Sequence, residues 1–255
     1  MQNKKAFITG ASRGIGRGIT RVLSDSGYDI AFTYNSMSED AQSLYDQIIN
    51  KGRRCYYYQA SLHLPDVAEE VTGRAVNDFG GIDLMVCNAG LTRHNDLLTL
   101  EGEFIDFLYN LNYRSYLLCA KVAANYMVSA NIKGNIIFIT STRGARAYAE
   151  DAIYGGLKAA LQRSAESMAI DMGKYAIRVN CVAPGATAIR DNVPGHKSHW
   201  DCIASKIIPL ERLGTPDEVG YLVRFIASDE AAYMTGNIIK LDGGLILSGR
   251  PEKID

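Results

Sequence analysis

The sequence predicts an α/β protein built as one doubly wound domain, a seven-stranded parallel sheet with helices on both faces. Three observations predict it. Short apolar runs rich in β-branched and aromatic residues alternate with amphipathic stretches of helical period. Most of those runs are continuously apolar, as strands covered on both faces are. A glycine-rich turn joins the first run to the first amphipathic stretch.

Taken in order, the strands are predicted at Lys5–Thr9, Asp29–Thr33, Arg54–Gln59, Asp83–Cys87, Asn135–Thr140, Arg178–Val182 and Asn237–Leu241. The helices between them are predicted at Ile15–Ser26, Ser38–Lys51, Pro65–Phe79, one long element over Glu101–Val128, then Gly155–Met172 and Pro216–Ala227. Strand–helix alternation implies βαβ units with right-handed crossovers. The segment 186–213 breaks the alternation and contains Pro194-Gly195 and Pro209. Long irregular connections of this kind are commonly functional, so it reads as a substrate lid on a single domain spanning residues 1–255.

Composition narrows the function. Charged residues make up 22% and the net charge is −1, which gives no strongly basic face for a nucleic-acid partner. No apolar run approaches the ~20 residues of a membrane span. The N-terminal stretch lacks the apolar core of a signal peptide, so the expectation is a cytoplasmic protein. Cys55, Cys87, Cys119, Cys181 and Cys202 are widely spaced and set in apolar runs, which points to buried free thiols. His196 and His199 are three apart and could share a helix face, but no metal is expected.

The turn after the first strand reads Gly10-Ala11-Ser12-Arg13-Gly14-Ile15-Gly16. Glycines at this junction let the backbone turn tightly and let a pyrophosphate approach the free amides of a helix N-terminus. Tyr154 and Lys158 are four apart and share a helix face. A tyrosine hydroxyl has an ordinary pKa of ~10. A neighbouring ammonium is expected to lower it and make Tyr154 a general acid/base.

The glycine spacing, Gly-x-x-x-Gly-x-Gly, resembles that of the short-chain dehydrogenase/reductase family. Further matches follow in the family's order: Asn88-Ala89-Gly90, Asn112, Ser141, the Tyr154/Lys158 pair, Pro184-Gly185 and Leu241-Asp242-Gly243-Gly244. The resemblance covers nearly the whole chain. It implies a Rossmann-type fold and a nicotinamide-dependent oxidoreductase that interconverts a carbonyl and a secondary alcohol. It implies Tyr154 as general acid/base, Ser141 as donor to the substrate oxygen and Lys158 as partner of the nicotinamide ribose. Asn112 is implied to hold a water that links Lys158 to solvent. The cofactor-binding set is Gly10, Ser12, Arg13, Gly14, Ile15, Gly16, Tyr34, Asn35, Ser36, Ser61, Leu62, Asn88, Ala89, Gly90, Tyr154, Lys158, Pro184, Gly185 and Thr187.

Members that prefer NAD carry a carboxylate after the second strand. Here the position is Tyr34, followed by Asn35 and Ser36, and Arg13 supplies a cation beside it. NADP(H) is therefore expected, with NAD(H) possible. After the third strand, Ser61-Leu62 replaces the family's usual Asp-Val, so Ser61 is expected to bond adenine. The loop before Tyr154 is polar and holds Arg143, Arg146 and Tyr148. Arg143 and Tyr148 are the expected substrate-facing residues, with pairing of the arginines to Glu150 and Asp151 as the alternative.

The polar loop favours a small sugar- or polyol-like substrate, as in glucose 1-dehydrogenase-like members. A 3-oxoacyl-[acyl-carrier-protein] reductase is the competing reading, and a non-catalytic nicotinamide-binding regulator is the reading from another class. A homotetramer is expected, its interfaces drawing on Leu117, Leu118, Leu161 and Met168.

Overall fold

The structure is a computed structural model that describes residues 3–36, 38–189 and 206–247. In chain order the elements are β1 (Lys5–Ile8), α1 (Gly14–Asp25), β2 (Asp29–Tyr34), α2 (Ser38–Asn50), β3 (Cys55–Gln59), α3 (Val67–Phe79) and β4 (Leu84–Cys87). There follow α4 (Gly102–Tyr109), a π turn (Asn110–Arg114), α5 (Ser115–Ser129), β5 (Asn135–Ile139), α6 (Ala152–Gly173), β6 (Arg178–Pro184), α7 (Pro216–Ala227) and β7 (Ile238–Leu241). Each strand lies where an apolar run predicts it.

The seven strands form one parallel sheet in the order β3-β2-β1-β4-β5-β6-β7. The order reverses between β1 and β4, where Ile8 pairs with Val86. Ligands of open α/β sheets bind in the crevice at such a switch point, beyond the carboxyl ends of the strands. The β5 run Asn-Ile-Ile-Phe-Ile is buried at every position, as a central strand covered on both faces must be. Two apolar clusters sandwich the sheet. One packs residues of α3, α5 and α6 against it, including Tyr116, Leu161 and Phe138. The other packs α1, α2 and α7, including Ile19, Leu44 and Val223.

Two helix contacts follow directly from residue choice. A Cβ on Gly18 would collide with Pro216, and one on Gly220 would meet the Gly18 carbonyl and Val22. These glycines allow α1 and α7 to cross closely, which fixes the angle at which α1 presents its N-terminus. Thr215 and Glu218 cap α7 reciprocally, with Pro216 in its first turn.

The predicted long helix 101–128 is in fact two helices joined by the π turn. Leu117, Leu118 and Met168 pack partly buried against this chain's own core and Leu161 is fully buried in it. The expectation that Leu161 belongs to an interface is therefore corrected: it serves this chain's own core. Cys55, Cys87, Cys119 and Cys181 are buried and free. Cys202, His196, His199 and the central part of the expected lid lie outside the described residues.

Candidate active site

The site begins at the switch point. Gly10 and Gly14 have positive φ, 66° and 56°, which favours glycine. The Gly10 amide donates to Thr33 Oγ1 (2.9 Å) and the Ala11 amide to the Thr33 carbonyl (2.8 Å). Asn88, just past β4, donates from Nδ2 to the carbonyls of Thr9 and Gly10, both at 2.9 Å. The amides of Asn88 and Ala89 in turn donate to Thr9 Oγ1. The side chain of Asn88 is thus a strut that clamps the glycine loop onto the β4 loop.

A Cβ on Gly16 would strike the Gly10 carbonyl and Asn88 Nδ2. Gly16→Ala is therefore expected to cost about 1–3 kcal/mol through overpacking and to weaken NADPH binding at least tenfold. Thermal unfolding and a fluorescence titration with NADPH check both, and an unchanged affinity would speak against the strut.

The residues fit a dinucleotide. The first turn of α1 holds no acidic residue, and Arg13 at its N-cap makes no side-chain cap. The amides of that turn and the helix dipole suit a pyrophosphate. Arg17 donates to the Ser12 and Asp40 carbonyls and to Ser43, so it braces the loop. The Arg13 side chain is exposed and has no hydrogen-bond or ion-pair partner among the described residues. Ile15 packs against the core cluster on the α1 side, and Tyr34 lies half-buried with its ring 5.9 Å from that of Tyr57.

Asn35 and Ser36 are exposed at the end of β2. Ser61 Oγ donates to Asn35 Oδ1 at 2.9 Å, so it braces Asn35, whereas the sequence reading has it bond adenine. The Leu62 side chain is buried in the core, which leaves only its backbone for a cofactor. Gly185 allows close approach of Asp242, and Thr187 Oγ1 donates to the Gly185 carbonyl at 3.2 Å.

Tyr154, Lys158 and Gln162 recur at intervals of four along α6 and are all buried. Lys158 Nζ donates to Tyr116 Oη and to the Ile139 carbonyl, each at 3.2 Å. Gln162 Nε2 donates to the Ser141 carbonyl (3.0 Å) and to Thr140 Oγ1 (3.2 Å), which fixes the loop after β5. Ser141 Oγ accepts from the Arg143 amide at 3.2 Å, so its own proton is left to donate elsewhere. The side chains of Ser141 and Thr92 lie close enough to the Tyr154 hydroxyl to favour its ionised form.

Burial dominates the electrostatics. It pushes the Tyr154 hydroxyl above its ordinary value, against the pull of the Thr92 and Ser141 hydrogen bonds and the Arg143 charge. It also pulls Lys158 down to about 7. The expectation that Lys158 lowers the Tyr154 pKa below its ordinary value is thus reversed in direction. The ammonium points to Tyr116 and Ile139 and lies 5.6 Å from the Tyr154 ring centroid. Desolvation of the phenolate outweighs it.

Asn112 sits in the π turn, fully buried. Its Nδ2 donates to the Leu91 and Leu108 carbonyls and its Oδ1 accepts from the Leu91 amide, all between 3.2 and 3.3 Å. The side chain is a clamp on the loop after Gly90.

Arg143 pairs with Asp151, Nη1 to Oδ2 at 3.0 Å, and its guanidinium lies 4.5 Å from the Tyr148 ring centroid. This is the alternative the sequence left open for the arginine. Sequence reasoning missed Thr92, Tyr116, Gln162 and Asp151. Only Gln162 carried a signal, since it continues the four-residue spacing of Tyr154 and Lys158.

A family model described as enoyl-(acyl carrier protein) reductase matches residues 10–246. The chain is 32% identical over 251 residues to the 3-oxoacyl-[acyl-carrier-protein] reductase FabG of Staphylococcus epidermidis, covering 96% of this chain and 100% of that one. It is 32% identical over 257 residues to versicolorin reductase 1 of Dothistroma septosporum, 96% of each chain. Among solved structures, acetoin dehydrogenase from Enterobacter cloacae superposes with a TM-score of 0.90 at 29% identity, covering 99% of both chains. A short chain dehydrogenase from Burkholderia cenocepacia in complex with NADP gives a TM-score of 0.88 at 33% identity, covering 96% of this chain and 98% of that one.

Proposed function

Since the chain belongs to the short-chain dehydrogenase/reductase family, NAD(P)-dependent oxidoreductases acting on carbonyls and alcohols, we propose that it reduces a small polar carbonyl compound with NADPH. The observation that carries this reading is the buried Tyr154 side chain, with Ser141 and Thr92 acting on its hydroxyl and Lys158 one helical turn on. These groups lie beside a glycine loop that suits a dinucleotide.

In this reading Ser141 donates to the substrate oxygen and stabilises the charge that develops there. Tyr154 gives its Oη proton to the same oxygen. Burial keeps Tyr154 protonated at neutral pH, which suits proton donation and hence reduction. Lys158 keeps one N–H beyond its two bonds, free for a ribose hydroxyl. Asn112 holds the loop that carries Thr92. Bound in the crevice, the dinucleotide supplies the hydride. Arg143 and Tyr148 border the substrate.

NADP(H) is favoured by the Arg13 side chain, which has no partner among the described residues, and by the absence of a carboxylate at Tyr34-Asn35-Ser36. Purified protein followed at 340 nm, with NADPH against NADH over a panel of sugars, hydroxyketones, β-ketoesters and diketones, tests the whole reading. NADPH is expected to exceed NADH at least tenfold in kcat/KM. Arg13→Ala is expected to remove about tenfold of that preference by raising KM for NADPH alone, the loss of one charge-assisted phosphate contact. Equal use of both cofactors, unchanged by Arg13→Ala, overturns the cofactor assignment.

The FabG relative favours a 3-oxoacyl thioester as the second reading, and exclusive turnover of β-ketoesters would select it. The reading extends to a single-domain, cytoplasmic homotetramer; exposed apolar residues Ile105 and Tyr109 on α4 and Ile170 on α6 support an interface.

A further inference from the structure

Tyr116 is a buried titratable side chain to which the proposed chemistry gives no task. It lies in the first turn of α5, four residues after Asn112, and is fully buried. Its ring packs 6.0 Å from that of Phe138 on β5. The hydroxyl donates to the Ile139 carbonyl at 3.3 Å, which commits its one proton. Its lone pairs are left for Lys158, whose Nζ donates to Oη at 3.2 Å. A Cβ on Gly90 would lie 3.5 Å from the same oxygen, so Oη sits directly behind the Asn88-Ala89-Gly90 turn.

Lys158 has little else to hold its charge. Nζ also donates to the Ile139 carbonyl at 3.2 Å. It lies 4.6 Å from the Tyr116 ring centroid and 5.6 Å from that of Tyr154. The other titratable groups that act on it are the thiols of Cys87 on β4 and Cys181 on β6. Burial pushes the Cys87 thiol well above its ordinary range and Cys181 up to about 12, so neither is charged at neutral pH. Lys158 makes no ion pair among the described residues. Among those residues, Tyr116 Oη is the one side-chain oxygen bonded to this buried ammonium.

A phenylalanine at position 116 would fill the same space against Phe138. What the hydroxyl adds is its bond to Lys158 and a second donor to a carbonyl that Lys158 already serves. A buried charge is costly unless hydrogen bonds answer it. We propose that Tyr116 is a positioning residue whose hydroxyl keeps the Lys158 ammonium charged and in place beside Tyr154 and the Gly90 turn. This inference rests on the reading of the chain as a carbonyl reductase, in which Lys158 meets the cofactor ribose.

The test compares Tyr116→Phe with wild type in the full chain. Denaturant unfolding without cofactor is measured at pH 5 and pH 9. The hydroxyl accepts from the lysine and so favours its charged form. Lys158 stands at about 7 in the folded protein against an ordinary 10.5, and losing the hydroxyl lowers the folded value further. At pH 5 the folded state of the variant then bears a less supported charge, whereas at pH 9 the folded lysine is neutral in both proteins. The excess of the variant's unfolding constant over wild type is expected to be about tenfold larger at pH 5 than at pH 9, the equivalent of one pKa unit. In carbonyl reduction at pH 7, kcat is expected to fall at least fivefold while KM for the carbonyl stays within about threefold.

A stability gap that is constant across pH marks a packing role and overturns the proposal, as does a variant that reduces at the wild-type rate. The same substitution in a Lys158→Met background is expected to show no pH-dependent gap. If Tyr116→Phe alone fails to fold, the double variant is expected to fold, since it buries no unmet ammonium; failure of both overturns the proposal. Protein that binds NADPH and reduces no carbonyl overturns the reductase reading, and the pH-dependent gap still decides whether Tyr116 holds Lys158.

Discussion

Tyr154→Phe is expected to lower carbonyl reduction by about 10²–10⁴-fold, the usual contribution of a positioned proton donor. The ring keeps its place, because it is buried and only the hydroxyl is lost. NADPH affinity should stay within about threefold of wild type, since a single neutral hydrogen bond is worth little net. Stopped-flow or steady-state rates at 340 nm and a fluorescence titration separate the two effects.

The pH dependence of the wild type carries a matching signature. Burial holds Tyr154 above its ordinary value, so the proton donor stays loaded across the neutral range. Reduction should be flat in Tyr154 protonation from pH 6 to 9, whereas oxidation, which needs the phenolate, should climb with pH. A Tyr154→Phe protein that still reduces at the wild-type rate would remove Tyr154 from the chemistry.

Lys158→Met is expected to gain stability while losing activity. The folded protein depresses Lys158 from 10.5 to about 7 by desolvation. Below pH 7 the lysine is charged in both states, and the folded state bears the full cost of the buried charge. Between about 7 and 10.5 the unfolded chain binds more protons than the folded one, so stability rises with pH across that window. Methionine fills similar volume without the charge. The variant should exceed wild type by an amount on the order of a few kcal/mol at pH 6, with the gap closing as pH approaches 10.

Tyr116 Oη still donates to the Ile139 carbonyl at 3.3 Å after the change, so no new orphan group offsets the gain. Denaturant unfolding at pH 6 and pH 9.5 measures the gap, and a variant less stable than wild type at pH 6 would refute the argument. A functional residue kept at a cost in stability is a common bargain at active sites.

Much of this molecule was legible in the sequence for a physical reason. The sheet could be read because β4 and the stretches Ala6–Ile8 of β1 and Ile136–Ile139 of β5 are continuously apolar, and burial on both faces leaves that mark. The glycine loop was legible because Gly10 and Gly14 need positive φ and Gly16 leaves no room for a Cβ. The Tyr154/Lys158 pair was legible because a four-residue spacing puts both on one face.

Pairings between loops left no such mark. Thr92 with Tyr154, and His94 with Asp151, join residues far apart in the chain with no periodic spacing. The direction of the Tyr154 shift was misread because burial, which decides it, is a tertiary quantity. The contacts by which Ser61 and Asn112 brace neighbouring loops also left no mark, since they join residues far apart in the chain.

The π turn at Asn110–Arg114 sets a rule about length. A π turn holds one residue more than an α turn, and each residue of a helix advances about 100°. Deleting one residue there would let the hydrogen-bond ladder run unbroken from α4 into α5. It would also swing everything upstream by about 100° relative to Tyr116 and Cys119, which face the sheet. Leu108 would leave its buried position, and Asn112 could not hold Leu91 while the downstream half stayed docked. The stretch can therefore accept exchanges of side chain far more readily than a change of one residue in number, because its spare residue works as a phase adjuster between two helices that must meet the same site at different angles.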